Sequence, residues 1–241
     1  MKGRFLLGLL LLLAVGCQKV DEIIGPEIHS GTRSIVNIQA TDPRIGSKEA
    51  MIYLPPQYSP DKHYPVVIFL HGFGSDHLFW QSVEDIQGVL DYLISSGKIK
   101  ECIAVMPNAK NALGGSFYTN SEYFGNSVFG KYEDYIVQDV INYIKAHYNV
   151  DTTEIYLVGL SMGAYGAAKL AVKHPDIFKG FASHSGPISF ERFLDQIPGM
   201  NANMIQAVLS EWSDFGYRIP STAGQYLGPA RPLSTMMFAM A

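Results

Sequence analysis

The residues Gly159-Leu160-Ser161-Met162-Gly163 place a serine hydroxyl at a tight bend. Before the bend lies Ile155-Tyr156-Leu157-Val158, a short apolar run with strand character, and after it Ala164-Tyr165-Gly166-Ala167-Ala168, a small-residue helix. Strand, Gly-x-Ser-x-Gly and helix together form a nucleophile elbow, a turn that lifts the serine oxygen clear of a sheet. Gly159 and Gly163 suit it because strand and helix approach closely there and a Cβ would clash. The chemistry this permits is attack on a carbonyl carbon. The helix N-terminus, with its unpaired N–H groups, then lies where negative charge develops on the carbonyl oxygen. The competing reading is a serine that only caps a helix; both flanks of the motif argue against it.

A second feature points the same way. Phe69-Leu70-His71-Gly72-Phe73-Gly74 closes an apolar run with a His-Gly turn. Two backbone N–H groups usually hold the oxygen charge in such a site, one after the nucleophile and one from the loop following an earlier strand. Met162 and Phe73 are the candidates for the oxyanion hole. His71 is read as ordering that loop and as a candidate pocket residue, and His77 as a surface loop histidine.

These residues need a sheet to present them. Residues 32–40 and 48–54 have β-rich patterns and should pair antiparallel, with Pro55-Pro56 ending the second. Pro65–Leu70, Cys102–Met106, Glu154–Val158 and Gly180–His184 read as four buried strands, because continuous apolar runs suit strands covered on both faces. Helical spacing of apolar residues covers 83–96, ending at Gly97, then 132–147 and 162–173. The expectation is an α/β chain, a mostly parallel sheet flanked by helices. A glycine- and aromatic-rich loop over 109–130 carries Phe117, Tyr118, Tyr123, Phe124 and Phe129, which could meet a sugar or aryl group or could pack over the core.

The 241 residues allow one sizeable α/β core. Formal charge is −4, and without residues 1–16, which hold Lys2 and Arg4, 16 positive face 22 negative side chains, or −6. That balance excludes a nucleic-acid footprint. The sequence shows no His/Asp/Glu cluster with metal-ligand spacing, and a serine mechanism needs neither metal nor other cofactor. Residues 1–16 pair a short basic start with an apolar stretch of about a dozen residues, the pattern of a signal peptide. Ala14-Val15-Gly16-Cys17 resembles a bacterial lipoprotein box, which implies a lipid anchor on Cys17, membrane attachment and an extracytoplasmic protein. Gln18 after the cysteine favours an outer-membrane or cell-surface location. Residues 17–31 then serve as a polar tether and 32–241 as the catalytic domain. The other cysteine, Cys102, is expected to be a small buried hydrophobe.

Taken together, Leu70-His71-Gly72, Val105-Met106-Pro107-Asn108, Gly114-Gly115-Ser116-Phe117-Tyr118, Tyr132-Glu133-Asp134-Tyr135, Gly159–Gly163 and His174-Pro175-Asp176 resemble the esterase D-like group of the α/β-hydrolase superfamily. That group includes feruloyl, acetyl-xylan and tributyrin esterases, S-formylglutathione hydrolases and the antigen 85 mycolyltransferases. The similarity runs from about residue 45 to 190. It implies the α/β-hydrolase fold and hydrolysis of carboxylic esters through an acyl-enzyme, with an acylated polysaccharide as one substrate class. Ala164 stands where the group often has a second glycine.

The resemblance also implies a catalytic Asp and a His on later strands, and neither is found in the chain. Residues 187–241 hold no histidine, and Glu191, Asp195, Glu211 and Asp214 follow no strand-like run. The expectation is a domain incomplete at its C-terminus, lacking its last strands and nearly inactive, since removing a triad member costs roughly 10⁴–10⁶ in rate. His184 is expected to line the pocket or to serve structure. Acyl transfer on the same fold and non-catalytic binding remain alternatives, and the sequence leaves the oligomeric state open.

Overall fold

The computed structural model describes residues 26–112, 114–120 and 130–187. Six strands make one sheet: β1 (Thr32–Gln39), β2 (Ser47–Leu54), β3 (Tyr64–Leu70), β4 (Ile103–Pro107), β5 (Val150–Leu160) and β6 (Gly180–His184). Their spatial order is β1-β2-β4-β3-β5-β6. β1 pairs antiparallel with β2, and β2 antiparallel with β4. From β4 to β6 every pairing is parallel. The pattern of apolar residues explains the order. Every residue of β4 is buried, as a central parallel strand requires, whereas β1 buries only Ile38 fully and lies at an edge.

Helices cover both faces. On one side are α1 (Phe79–Ser82) and α2 (Ile86–Ser95), whose Trp80, Ile86 and Leu90 pack with Met51, Phe69 and Met106. On the other lies a helical rod, α3, over residues 132–147. It begins at Tyr132–Asp134, widens to π-type hydrogen bonding over Tyr135–Val140 and closes at Ile141–His147. Beside it runs α4 (Met162–Lys173). Ile136, Val140, Ile144 and Leu170 from this pair fill the larger core with Ile68, Leu70 and Leu157 of the sheet.

Two expectations are corrected. The helix expected over 83–96 starts only at Ile86, after Asp85 takes a left-handed backbone (φ 44°), and a separate short helix ends before it at Ser82. Val83 is consequently 63% exposed and outside the core, and Val89 is also exposed. What α2 buries instead is a carboxylate: Asp91 accepts from Gly31 N–H (2.8 Å) and Tyr53 O–H (2.7 Å), tying the start of β1 to the sheet. The second correction concerns β6, which is not buried: Phe181 and Ala182 are exposed. Among the described residues it pairs on one side only, with β5. Cys102 is buried beside Met106, and desolvation pushes its thiol up to about 11, so it is an inert hydrophobe.

Candidate active site

Ser161 joins β5 to α4 with φ 56° and ψ −117°, a backbone that non-glycine residues rarely adopt. Holding a residue there costs about 1–3 kcal/mol. Three close approaches keep it in place. A Cβ on Gly163 would strike the Leu70 carbonyl, and one on Gly159 would strike the Gly163 carbonyl, so strand and helix meet backbone to backbone. The Ser161 N–H donates to the His184 carbonyl (3.0 Å), fastening the bend to the end of β6. Although Ser161 occupies the N-cap position, its side chain caps no helix N–H, and the residue is exposed. A hydroxyl kept out of capping and lifted into solvent by a strained backbone is placed for reaction.

The loop after β3 runs alongside. A Cβ on Gly72 would lie 3.5 Å from the Ser161 Cβ, an ordinary contact, so the loop and Ser161 are immediate neighbours. His71 is fully buried and both ring nitrogens are committed. Its Nε2 accepts from the Ala109 N–H (2.9 Å), so its proton is on Nδ1, which donates to the Gly72 carbonyl (2.8 Å). Burial holds this imidazole neutral, its pKa lowered to about 4. The bond has a geometric consequence. Gly72 C=O and Phe73 N–H share one trans peptide plane and point in opposite directions. Anchoring the carbonyl on His71 therefore aims the Phe73 N–H away from the core. Among the described residues that N–H has no acceptor. The Met162 N–H opens α4, where intrahelical acceptors do not exist. His71 thus orders the loop and does not line a pocket.

Behind the loop sits a turn over residues 115–119 that sequence reasoning read differently. Phe117 and Tyr118, candidates for a ligand pocket, are buried, 3% and 0% exposed. Both take left-handed backbones (φ 51° and 56°). Phe117 packs between Phe73 and Tyr165, with ring centroids 6.2 and 6.1 Å away, and donates its N–H to the Met162 sulfur (3.3 Å). Tyr118 donates its hydroxyl to the His71 carbonyl (2.9 Å). Its own carbonyl accepts from Lys169 Nζ (2.6 Å), a buried ammonium on α4. Lys169 lies 3.6 Å from the buried Glu133 carboxylate, which also takes Lys173 (2.9 Å) and His174 Nε2 (2.7 Å). Sequence reasoning missed this cluster. The available signal was Lys169 and Lys173, four residues apart on one face of an otherwise apolar helix. Tyr123, Phe124 and Phe129 lie outside the described residues, as does Cys17.

All seven histidines of the sequence are among the described residues, and no hydrogen bond joins one to the Ser161 side chain. His184 comes nearest in the sheet, paired opposite Leu160, but its ring is exposed and its Nδ1 faces the Ser185 hydroxyl at 3.4 Å. His77 is buried and not on the surface as expected, with Nε2 3.7 Å from Glu49. Among the described residues no group of three or more His, Cys, Asp or Glu side chains gathers as for a metal.

A mixed, mostly parallel sheet covered on both faces, with a strained serine at a strand-to-helix bend, defines an α/β-hydrolase. The chain belongs to the esterase family whose model, described as "Putative esterase", matches residues 46–217. An esterase of Mycobacterium tuberculosis is 31% identical over 163 residues, 66% of this chain and 33% of that protein. An endo-1,4-beta-xylanase/feruloyl esterase of Xylanibacter ruminicola is 29% identical over 149 residues, 57% of this chain and 19% of that one. The chain therefore spans about a third or less of the length of these curated relatives. Among solved structures, a ferulic acid esterase matches with TM-score 0.61 and 26% identity, covering 76% of this chain and 68% of its own. A fluorophosphonate-binding serine hydrolase of Staphylococcus aureus matches with TM-score 0.58 and 23% identity, covering 77% and 67%.

Proposed function

We propose that this protein hydrolyses carboxylic esters, with Ser161 as nucleophile and the Phe73 and Met162 N–H groups as the oxyanion hole. The observation that carries the reading is the Ser161 backbone: a left-handed non-glycine residue whose hydroxyl caps nothing and stands in solvent. Attack by its oxygen on an ester carbonyl forms a tetrahedral oxyanion; loss of the alcohol leaves an acyl-serine, and water releases the acid. Each oxyanion donor is worth about 2.7–4 kcal/mol of transition-state stabilisation. The finer reading is a feruloyl or acetyl ester on a polysaccharide, supported by the feruloyl esterases among the relatives. A lipid on Cys17, with an extracytoplasmic location, suits a polymer substrate.

A serine without a base reacts slowly, and no histidine is bonded to this one. That observation favours a second reading, a scaffold that binds acylated sugar without turnover. The two separate on exposure to a fluorophosphonate, followed by mass analysis of the adduct. The hydrolase reading expects a label on Ser161 and none in Ser161→Ala. It also expects p-nitrophenyl acetate hydrolysis that is lost in Ser161→Ala. A protein left unlabelled at Ser161 is a binding scaffold. Fractionating the same cells with a Cys17→Ser control tests the anchor, which predicts loss of the protein from the membrane fraction.

A further inference from the structure

We infer that Tyr118 and Lys169 are positioning residues for the oxyanion loop, acting from beneath it; the inference rests on the site reading above. Neither side chain reaches the reacting atoms: Tyr118 ends on the backbone that leads to the second oxyanion donor, and Lys169 ends on the backbone of Tyr118. The Tyr118 hydroxyl holds the carbonyl of His71 (2.9 Å), and the His71 ring holds the carbonyl of Gly72 (2.8 Å). Two successive peptide planes before Phe73 N–H are thus fixed by hydrogen bonds from fully buried side chains. A peptide so pinned cannot rotate to offer its carbonyl where the N–H is needed.

Tyr118 can do this only if its own strained backbone is held, since left-handed geometry at two consecutive non-glycine residues relaxes wherever packing allows. The holding group is Lys169, whose ammonium donates to the Tyr118 carbonyl (2.6 Å). A buried ammonium is costly unless paired, and Glu133 at 3.6 Å pairs it. Glu133 is in turn fastened by Lys173 and His174. Lys169 stands two helical turns along α4 from Ser161, so the helix that begins at the nucleophile also grips the turn that sets the opposite donor. Phe117 N–H on the Met162 sulfur is a second tie between the same turn and the elbow. The two halves of the hole are therefore one rigid unit, with the aromatic turn as its brace.

Tyr118→Phe tests this with the smallest change, removing one oxygen. Two measurements are made on the whole chain: amide hydrogen exchange across residues 71–74, and fluorophosphonate labelling of Ser161 at increasing probe concentration. Exchange at 71–74 should rise. The saturated labelling rate should fall about tenfold, a fraction of the 10²–10³ lost when an oxyanion donor is removed outright. The half-saturating probe concentration should stay the same, and the thermal midpoint should move by about 2–4 °C at most. Lys169→Met, which leaves Glu133 with Lys173 and His174, should raise exchange at both 71–74 and 116–120. Unchanged exchange at 71–74 in Tyr118→Phe overturns the inference whatever the activity. So does an unchanged saturated rate in a protein labelled at Ser161. A parent that is not labelled at Ser161 fails before any variant is compared; it overturns the reading of the site, and this inference with it.

Discussion

Ser161 and the Phe117–Tyr118 pair share an uncommon positive φ, but different things hold them there. At Ser161 the constraint is steric and lies in the chain itself. Two glycines let a helix and two strands touch backbone to backbone, and among the described residues no side-chain hydrogen bond grips the bend. At Phe117–Tyr118 the constraint is a set of side-chain bonds: Lys169 on one carbonyl, the Met162 sulfur on one N–H, and the turn's own Ser116 hydroxyl on the next. The elbow is held by what is missing, the turn by what reaches in. The first kind of strain yields only if backbone moves, whereas the second can be loosened by removing one polar group, without any clash.

The sharpest way to break the comparison is to add an atom at the elbow. Gly163→Ala puts a methyl group into the Leu70 carbonyl, and neither backbone can give way without moving the sheet. Overpacking of this kind costs about 3 kcal/mol or more, read as a shifted denaturant midpoint. A loss below about 1 kcal/mol would mean that the elbow is softer than its contacts.

Acid tests the loop that the turn supports. The unfolded His71 titrates near its ordinary 6.5, but in the fold burial lowers it to about 4. Between those values the unfolded chain binds a proton that the folded one excludes, so stability is full above about 6.5 and drains away as pH falls towards 4. That lowering corresponds to about 3 kcal/mol. Urea unfolding at pH 7 and pH 4 should show that loss, and His71→Gln should flatten the slope. An unflattened slope would assign the acid sensitivity elsewhere.

The smallest effect runs the opposite way. Ser161→Gly removes the left-handed penalty of about 1–3 kcal/mol and adds back part of it as unfolded-chain entropy. The variant should gain about 1 kcal/mol in stability while losing all labelling at this position. Destabilisation would show that the serine side chain contributes packing that its exposure does not suggest.

Much of this architecture is legible in the residues. The apolar runs that became β3, β4 and β5 and the small-residue helix after Ser161 were readable because each signal is local, a periodicity or a spacing. The helical stretch before Gly97 was less so. Apolar spacing extends through Val83, but the break at Asp85 depends on how the chain returns to the sheet, and periodicity is blind to that. β6 looked like any buried strand because its composition is apolar, whereas its exposure depends on which neighbours it pairs with. Phe117 and Tyr118 mislead for a related reason. Aromatic residues in a loop can face a ligand or the core, and the partners that decide are His71, Met162 and Lys169, about 45–50 positions away in the chain.

The sequence alone determined the strand-to-helix bend at Ser161, the order of the strands along the chain and the family, since Gly-x-Ser-x-Gly between a strand and a small-residue helix is a short-range constraint that chain stiffness enforces. The tertiary structure alone decided which way the Phe73 N–H faces. That direction depends on the rotation of one peptide plane, and the planes are pinned by a histidine, a tyrosine hydroxyl and a buried lysine. Those groups meet only after the sheet has brought 71, 118 and 169 together.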